Sequence, residues 1–286
     1  IWITSWGRQY GAHYEEGKLS NEGRIYRLWP RDYSPSYPSR DIQTVEGLIV
    51  DLGSHLPVWR TNAHEELIRR GKSVEPLLRA ALRRPDLSDA LETWLVWTIG
   101  RINPEAWFEE NTNQKIQSIR VAAFNGRLHP AIRQALADEE PRIRLAAVSA
   151  LRELKASDST APLLELASRE SDRIVYYATW GALTDLLPAK KRKALLSDKR
   201  PGIRLAALLG LLEEDALSDR EIERHTTDSH VPIADISTRR LGGKHQFEHR
   251  GRPLTATGQV QPPEPLVIPF SGVKASSGHA YRAAVL

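Results

Sequence analysis

The chain has 286 residues, of which 41% are hydrophobic and 27% charged, and a formal net charge of +4. That is enough apolar material for one or two domains, but no run of about 18 apolar residues exists to span a membrane. The absence of Cys excludes disulfides, thiolate zinc sites, cysteine nucleophiles and C-x-x-C-H haem attachment within this segment.

The chain starts at Ile1 and contains no Met, as expected of a piece of a longer protein. Residues 1–31 read as extended. IWITSW alternates bulky apolar and small polar residues, and GRIYRLW from Gly23 does the same. Gly11, Gly17 and an Asn21-Glu22-Gly23 turn lie between them. This predicts a short β-hairpin at the edge of a larger β unit, because two strands alone are marginal in water. Pro30, Pro35 and Pro38 then mark residues 32–41 as a linker.

Helical pattern runs over 42–241. Ile42, Val45, Leu48, Ile49 and Leu52 share one helix face. Pro57 suits the first turn of a second helix that ends near Arg70 at the C-cap Gly71. Further pairs are predicted at 74–84 with 88–102, 104–110 with 115–125, and 129–137 with 141–155. After them come 160–169 with 172–186, 189–196 with 201–213, and a degraded pair at 219–224 with 230–241. From 242 to 286 the pattern stops in a Pro-, Gly- and Ser-rich stretch. That stretch reads as an irregular tail or as the start of a further β domain.

Five stretches repeat one sentence: VWRTNAHEELIRRG from Val58, SIRVAAFNGRL from Ser118, PRIRLAAVSALREL from Pro141, DRIVYYATWGALTDL from Asp172 and PGIRLAALLGLLEED from Pro201. Ala147, Ala178 and Ala207 are spaced by 31 and 29 residues. A period near 30 built from helix pairs predicts a mainly α fold, an α-solenoid of HEAT/armadillo-like helix pairs. In each repeat a hydrophobic residue followed by Arg opens the second helix, as at Trp59-Arg60, Ile119-Arg120, Ile143-Arg144 and Ile203-Arg204. The residue at 143, 174 or 203 is expected to bury, and so is Trp59. Arg144 and Arg204 are expected to meet Asp138, Glu139 or Asp198 at the loop edge. Val175 breaks the Arg rule. Ala147, Ala178 and Ala207 are the small residues that let helices approach.

Candidate chemistry is sparse. His245 and His249 are four apart, a metal-ligand spacing on a helix, but Gly242, Gly243 and Gly251 around them disfavour a helix. His64 opens HEEL, and Ile68 stands where a zinc motif needs its second His. No nucleophile elbow, phosphate-binding glycine loop or dinucleotide fingerprint occurs. No catalytic residue and no cofactor is expected in this segment. Trp94, Trp97, Trp107 and Trp180 read as filler between helices.

The segment ITSWGRQYGAHYEEGKLSNEGRIYRLW resembles the last blade of glucose/sorbosone-dehydrogenase-like β-propellers in large secreted proteins of the membrane-bound-dehydrogenase type. In those a G-H-Y-E segment precedes a closing G-R-I-[WY]-R strand. Here Ala12, His13, Tyr14 and Glu15 match the first, and Gly23, Arg24, Ile25, Tyr26 and Arg27 the second. A Pro-rich linker and W-R-x-x-A-x-x-x-L-x-x-R-G, from Trp59 to Gly71, then lead into HEAT repeats in the same order. Ser5 replaces the family's usual Asp, and the cytochrome c module with its C-x-x-C-H is absent. The resemblance implies a parent that oxidises sugars or polyols in the periplasm or outside the cell.

Three functions follow. The first is a non-catalytic scaffold that docks a protein partner or neighbouring domains of the same chain. The second is a basic solenoid for DNA or another polyanion, which needs Arg60, Arg120, Arg144 and Arg204 unpaired on one face. The third is a HEAT-like lyase that attaches or detaches bilins, for which no nucleophile can be named.

Overall fold

Capping residues set where the helices begin. In the computed structural model of the protein, residues 2–5, 14–15, 18–19, 24–27, 32 and 39–242 except 86 are described. The chain divides into two compact units, Ile1–Glu214 and Asp215–Leu286. At the start of the first, β1 (Trp2–Ser5) pairs antiparallel with β4 (Arg24–Arg27), Ile3 opposite Tyr26, and β2 (Tyr14–Glu15) pairs with β3 (Lys18–Leu19).

The rest of the first unit is helical: α1 (Val45–Leu52), α2 (Pro57–Arg70), α3 (Glu75–Leu82), α4 (Asp89–Ile102), α5 (Thr112–Phe124), α6 (Pro130–Gln134), α7 (Pro141–Glu153), α8 (Thr160–Arg169), α9 (Arg173–Leu186), α10 (Ala189–Leu195) and α11 (Pro201–Glu213). Thr44, Ser88, Asn111 and Asp172 cap α1, α4, α5 and α9 with side-chain oxygens that accept backbone N–H groups. Pro57, Pro141 and Pro201 are first residues of their helices, where the missing donor costs nothing. Gly71 closes α2 at φ 68°, a left-handed turn that favours glycine.

The long helices α4, α5, α7, α9 and α11 pack side by side in that order, with shorter helices behind them. This stack of helix pairs is the arrangement of an α-solenoid. Its core falls into two clusters of buried hydrophobics. One spans Leu48 to Ala106, the other Ile116 to Ala206. The second unit, described by itself, holds α12 (Asp219–Glu223) under a Ser218–Glu221 capping box, and α13 (Val231–Arg240). Ile222, Ile233 and Ser237 are its buried residues among those described, and Arg240 pairs with Asp215. The tail from 243 to 286 lies outside the described residues.

Four expectations need correction. Residues 104–110 form no helix: an irregular connector joins α4 directly to α5, pinned where Ser118 Oγ bonds both the N–H and the carbonyl of Phe108 at 3.0 Å. Second, α5 begins at Thr112, so Ile119-Arg120 lies mid-helix, and the opening pair is Gln114-Lys115. Trp59 is half-buried rather than core, with the Arg40 guanidinium 4.5 Å above its ring. Finally, α9 is shifted by one residue. Val175 is 1% exposed and Ile174 64%, so Val175 is the partner of Ile143 and Ile203, and Tyr176 takes the arginine position. Thr179, fully buried, replaces the predicted Ala178, which is only half-buried. Ala147 and Ala207 are buried as small residues should be.

This register predicts opposite outcomes at adjacent positions. Ile174→Asp stays within about 0.5 kcal/mol of wild type, whereas Val175→Asp costs more than about 3 kcal/mol, because a carboxylate enters the apolar seam. Urea melts of the two variants decide it, and equal losses would refute the assigned register.

Candidate interaction face

The arginines of the repeat occupy the fourth position of their helices, at the loop edge. There they hold backbone as well as charge. Arg144 Nη1 donates to the carbonyls of Asp138 and Glu139, both at 2.9 Å. Its Nε and Nη2 make a bidentate pair with Glu170, both at 2.7 Å, across the turn that leads into α9. Arg204 repeats the first half of this, donating to the carbonyls of Asp198 and Lys199. Arg60 donates to the carbonyl of Ser54 at 2.5 Å. Lys115 reaches Asp138 at 3.0 Å, and the Tyr176 hydroxyl donates to the carbonyl of Gly202 at 2.7 Å. The Asp198 carboxylate turns instead to Arg200, whose hydrogen bonds hold it down at about 2. Arg120 stands apart from all of these, exposed at the ninth position of α5. Arg60, Arg120, Arg144 and Arg204 therefore do not form one unpaired face, and the condition set for the polyanion reading is not met.

A different face is open. The second, fifth, ninth and thirteenth residues of each long helix share one stripe, as the helical period requires, and apart from the buried Ile116 of α5 none of them is a core residue. On α2 it carries Val58 and Glu65. On α4 and α5 it carries Trp97, Arg101, Arg120 and Phe124, and on α9 Ile174 and Tyr177. Val58, Phe124, Ile174 and Tyr177 are all exposed large hydrophobics. On α11 the same positions are Leu205 and Leu209, both half-buried. Tyr177 is itself covered by Arg173, whose guanidinium lies 5.2 Å from the ring centroid. On α7 the stripe is more polar, with Arg142, which pairs with Glu140, and with Ser149 and Glu153; beside it Arg152 pairs with Asp185 of the α9 stripe at 2.5 Å.

Under the stripe between α4 and α5 lies a buried carboxylate. Glu92 accepts from Asn111 and Asn113 at 2.7 Å and from Gln114 at 3.0 Å. Burial pushes its carboxyl up, and the three amide hydrogen bonds outweigh that and leave it below the usual value. Two turns further along α4, Gly100 sits so close to α5 that a Cβ there would be 2.7 Å from a Val121 methyl.

The remaining candidates resolve into structural roles. His64 is buried, 2.9 Å from the Thr98 hydroxyl and edge-on to Trp94; burial lowers its pKa. Trp107 stacks on His129 at 4.1 Å. Trp94, Trp97, Trp107 and Trp180 are all half-buried. A surface cavity of about 470 Å³ is lined by Glu109, Glu110, Lys115, Asp138, Glu139 and Glu140. Among the described residues no group of three or more His, Asp or Glu is placed to hold a metal ion, and no helix is long and apolar enough to cross a membrane. His245 and His249 lie outside the described residues, as do His13 and Gly23. Tyr14 and Glu15 form β2, and Arg24 opens β4.

No protein-family model matches the sequence, and no curated protein matches it either. Among solved structures the chain is similar to the complex of CpcE and CpcF of phycocyanin lyase from Nostoc sp. PCC7120, at 18% identity and a TM-score of 0.26. That match covers 76% of this chain and 80% of the other.

Proposed function

We propose that this segment is a non-catalytic helical-repeat scaffold that docks a protein partner on the outward stripe of its long helices. The observation that carries the reading is the placement of exposed apolar and aromatic side chains. Val58, Phe124, Ile174 and Tyr177 come from three different helices and share that stripe. Exposed apolar residues scattered singly need no explanation, but a line of them along one face marks an interaction surface. The motif resemblance at Tyr14, Glu15 and Arg24 supports a parent that oxidises sugars or polyols and is exported, with this segment as its docking module.

A photo-crosslinking amino acid tests the docking. Placed at Tyr177 on the stripe, it is expected to trap a discrete protein partner in the cells that make the chain. Placed at Leu77, equally open on α3, it is expected to trap none. Equal labelling at both positions, or purified chain that attaches or detaches a bilin, would overturn the reading.

A further inference from the structure

Two neighbouring helices place a chequerboard of rings and guanidiniums on the stripe. On α4, Trp97 is at the ninth position and Arg101 at the thirteenth. On α5 the order is reversed, with Arg120 ninth and Phe124 thirteenth. Each pair is four residues apart and so shares a helix face. Gly100 lets the two helices close on each other, with its carbonyl accepting from the Asn125 amide at 2.9 Å.

The parts are held in place. Trp97 meets Phe124 edge-on, with centroids 5.7 Å apart and an interplanar angle of 66°. The Trp97 indole N–H donates to Gln117 at 2.9 Å, and Gln117 in turn donates to Asn113 at 3.1 Å. Arg101 lies over the Phe124 ring, 4.8 Å from its centroid. Phe124 is nonetheless 55% exposed.

The charges are not neutralised. Neither Arg101 nor Arg120 forms an ion pair or a hydrogen bond with another described residue, unlike the arginines of the loop edge. Glu65 and Glu153, the acidic residues on this stripe of the flanking helices α2 and α7, pair with neither. A guanidinium stacked on an aromatic ring keeps its N–H edge free for a carboxylate and loses little freedom on binding one.

We propose that this chequerboard anchors an acidic protein segment, one that places carboxylates on Arg101 and Arg120 and an apolar side chain against Phe124 and Trp97. The proposal rests on the docking reading above and names the partner's chemistry. Rings beside arginines also suit single-stranded nucleic acid, where successive bases stack on open ring faces. Here Arg101 covers a face of Phe124 and the Trp97 edge abuts it. Trp97 is half-buried with its N–H tied down. Arginine with aromatic residues is the composition of protein-interface hot spots.

The test uses the full chain and three fluorescein-labelled probes: an amphipathic peptide with glutamates on one face and leucines on the other, the same peptide with lysines for glutamates, and single-stranded DNA. The glutamate peptide is expected to bind, more weakly as salt rises, and the lysine peptide not at all. Arg101→Glu with Arg120→Glu should weaken binding by at least about tenfold, while Arg101→Lys with Arg120→Lys retains more of it. Both side chains lie outside the core, and matching thermal melts confirm that the variants fold. The inference is overturned if wild type ignores the glutamate peptide, if the charge reversal leaves binding unchanged, or if the DNA binds better. If the peptide fails while the Tyr177 crosslink persists, the docking face stands and only the acidic chemistry is wrong. Loss of both removes the docking reading as well.

Discussion

Arg144→Met lowers the stability of the repeat array by about 3–5 kcal/mol, the usual cost of breaking a buried ion pair from one side. The Arg144 side chain is 13% exposed and that of Glu170 1%. Removing the guanidinium leaves the carboxylate in the turn before α9 without its bidentate partner. It also strips the carbonyls of Asp138 and Glu139 of a donor. Glu170 still accepts from the Asp172 N–H at 2.8 Å, so the turn loosens without dissolving. Replacing both partners, Arg144→Met with Glu170→Leu, should recover part of the loss, because no charge is then stranded. Urea denaturation followed by circular dichroism reads all three chains. A loss below about 1 kcal/mol in the single variant would mean that solvent screens the pair as it does a surface one.

The same pair fixes a pH dependence. Burial raises the Glu170 carboxyl, but Arg144 and the Asp172 N–H more than offset this, and the net shift is downward from 4.5. A carboxyl held lower in the folded chain than in the unfolded one binds fewer protons when folded. Its stabilisation is therefore complete above about pH 4.5 and fades as the pH falls through the lowered folded value. Arg144→Met should lose that share of the acid sensitivity, and an unaltered acid limb would assign the sensitivity elsewhere.

Helix starts are legible in the sequence because local chemistry makes them. Pro57, Pro141 and Pro201 fix their own φ and lack a donor that the first turn does not need. The register of α9 is harder to read, because Ile174, Val175 and Tyr176 are three bulky residues in a row. Matching Ile174 to Ile143 by residue type aligns the wrong one. The informative residue is Asp172: as the cap, it makes Val175 the third helical residue and hence the buried one. Likewise Ile119-Arg120 mimics the opening pair, while Asn111 followed by Gln114 marks the true start of α5. The chequerboard is hidden for another reason. Tryptophan near a core period reads as filler, and only the pairing of α4 directly with α5, through an irregular connector, sets Trp97 and Arg101 beside Arg120 and Phe124.

That direct pairing also puts a polar network at the centre of the α4–α5 seam, and Glu92→Leu should expose how far the seam depends on it. Glu92 sits where the two hydrophobic clusters meet, and the polar network around it takes the place of apolar packing. A leucine there removes the acceptor of three amides at once. Asn111 is open to water and can replace its bond, but Gln114 is buried and is left with an unsatisfied donor, worth about 1–3 kcal/mol by itself. We expect a total loss near 3 kcal/mol, concentrated at one interface. In a repeat array each unit is held by its neighbours, so weakening one interface uncouples the parts on either side. Hydrogen exchange should therefore rise by about a hundredfold in α1–α4 relative to α7–α11, where wild type protects both together. Glu92→Gln keeps one acceptor oxygen and should couple the halves better than leucine does. A uniform loss of protection along the stack would mean that Val121 against Gly100, rather than the carboxylate, holds the seam.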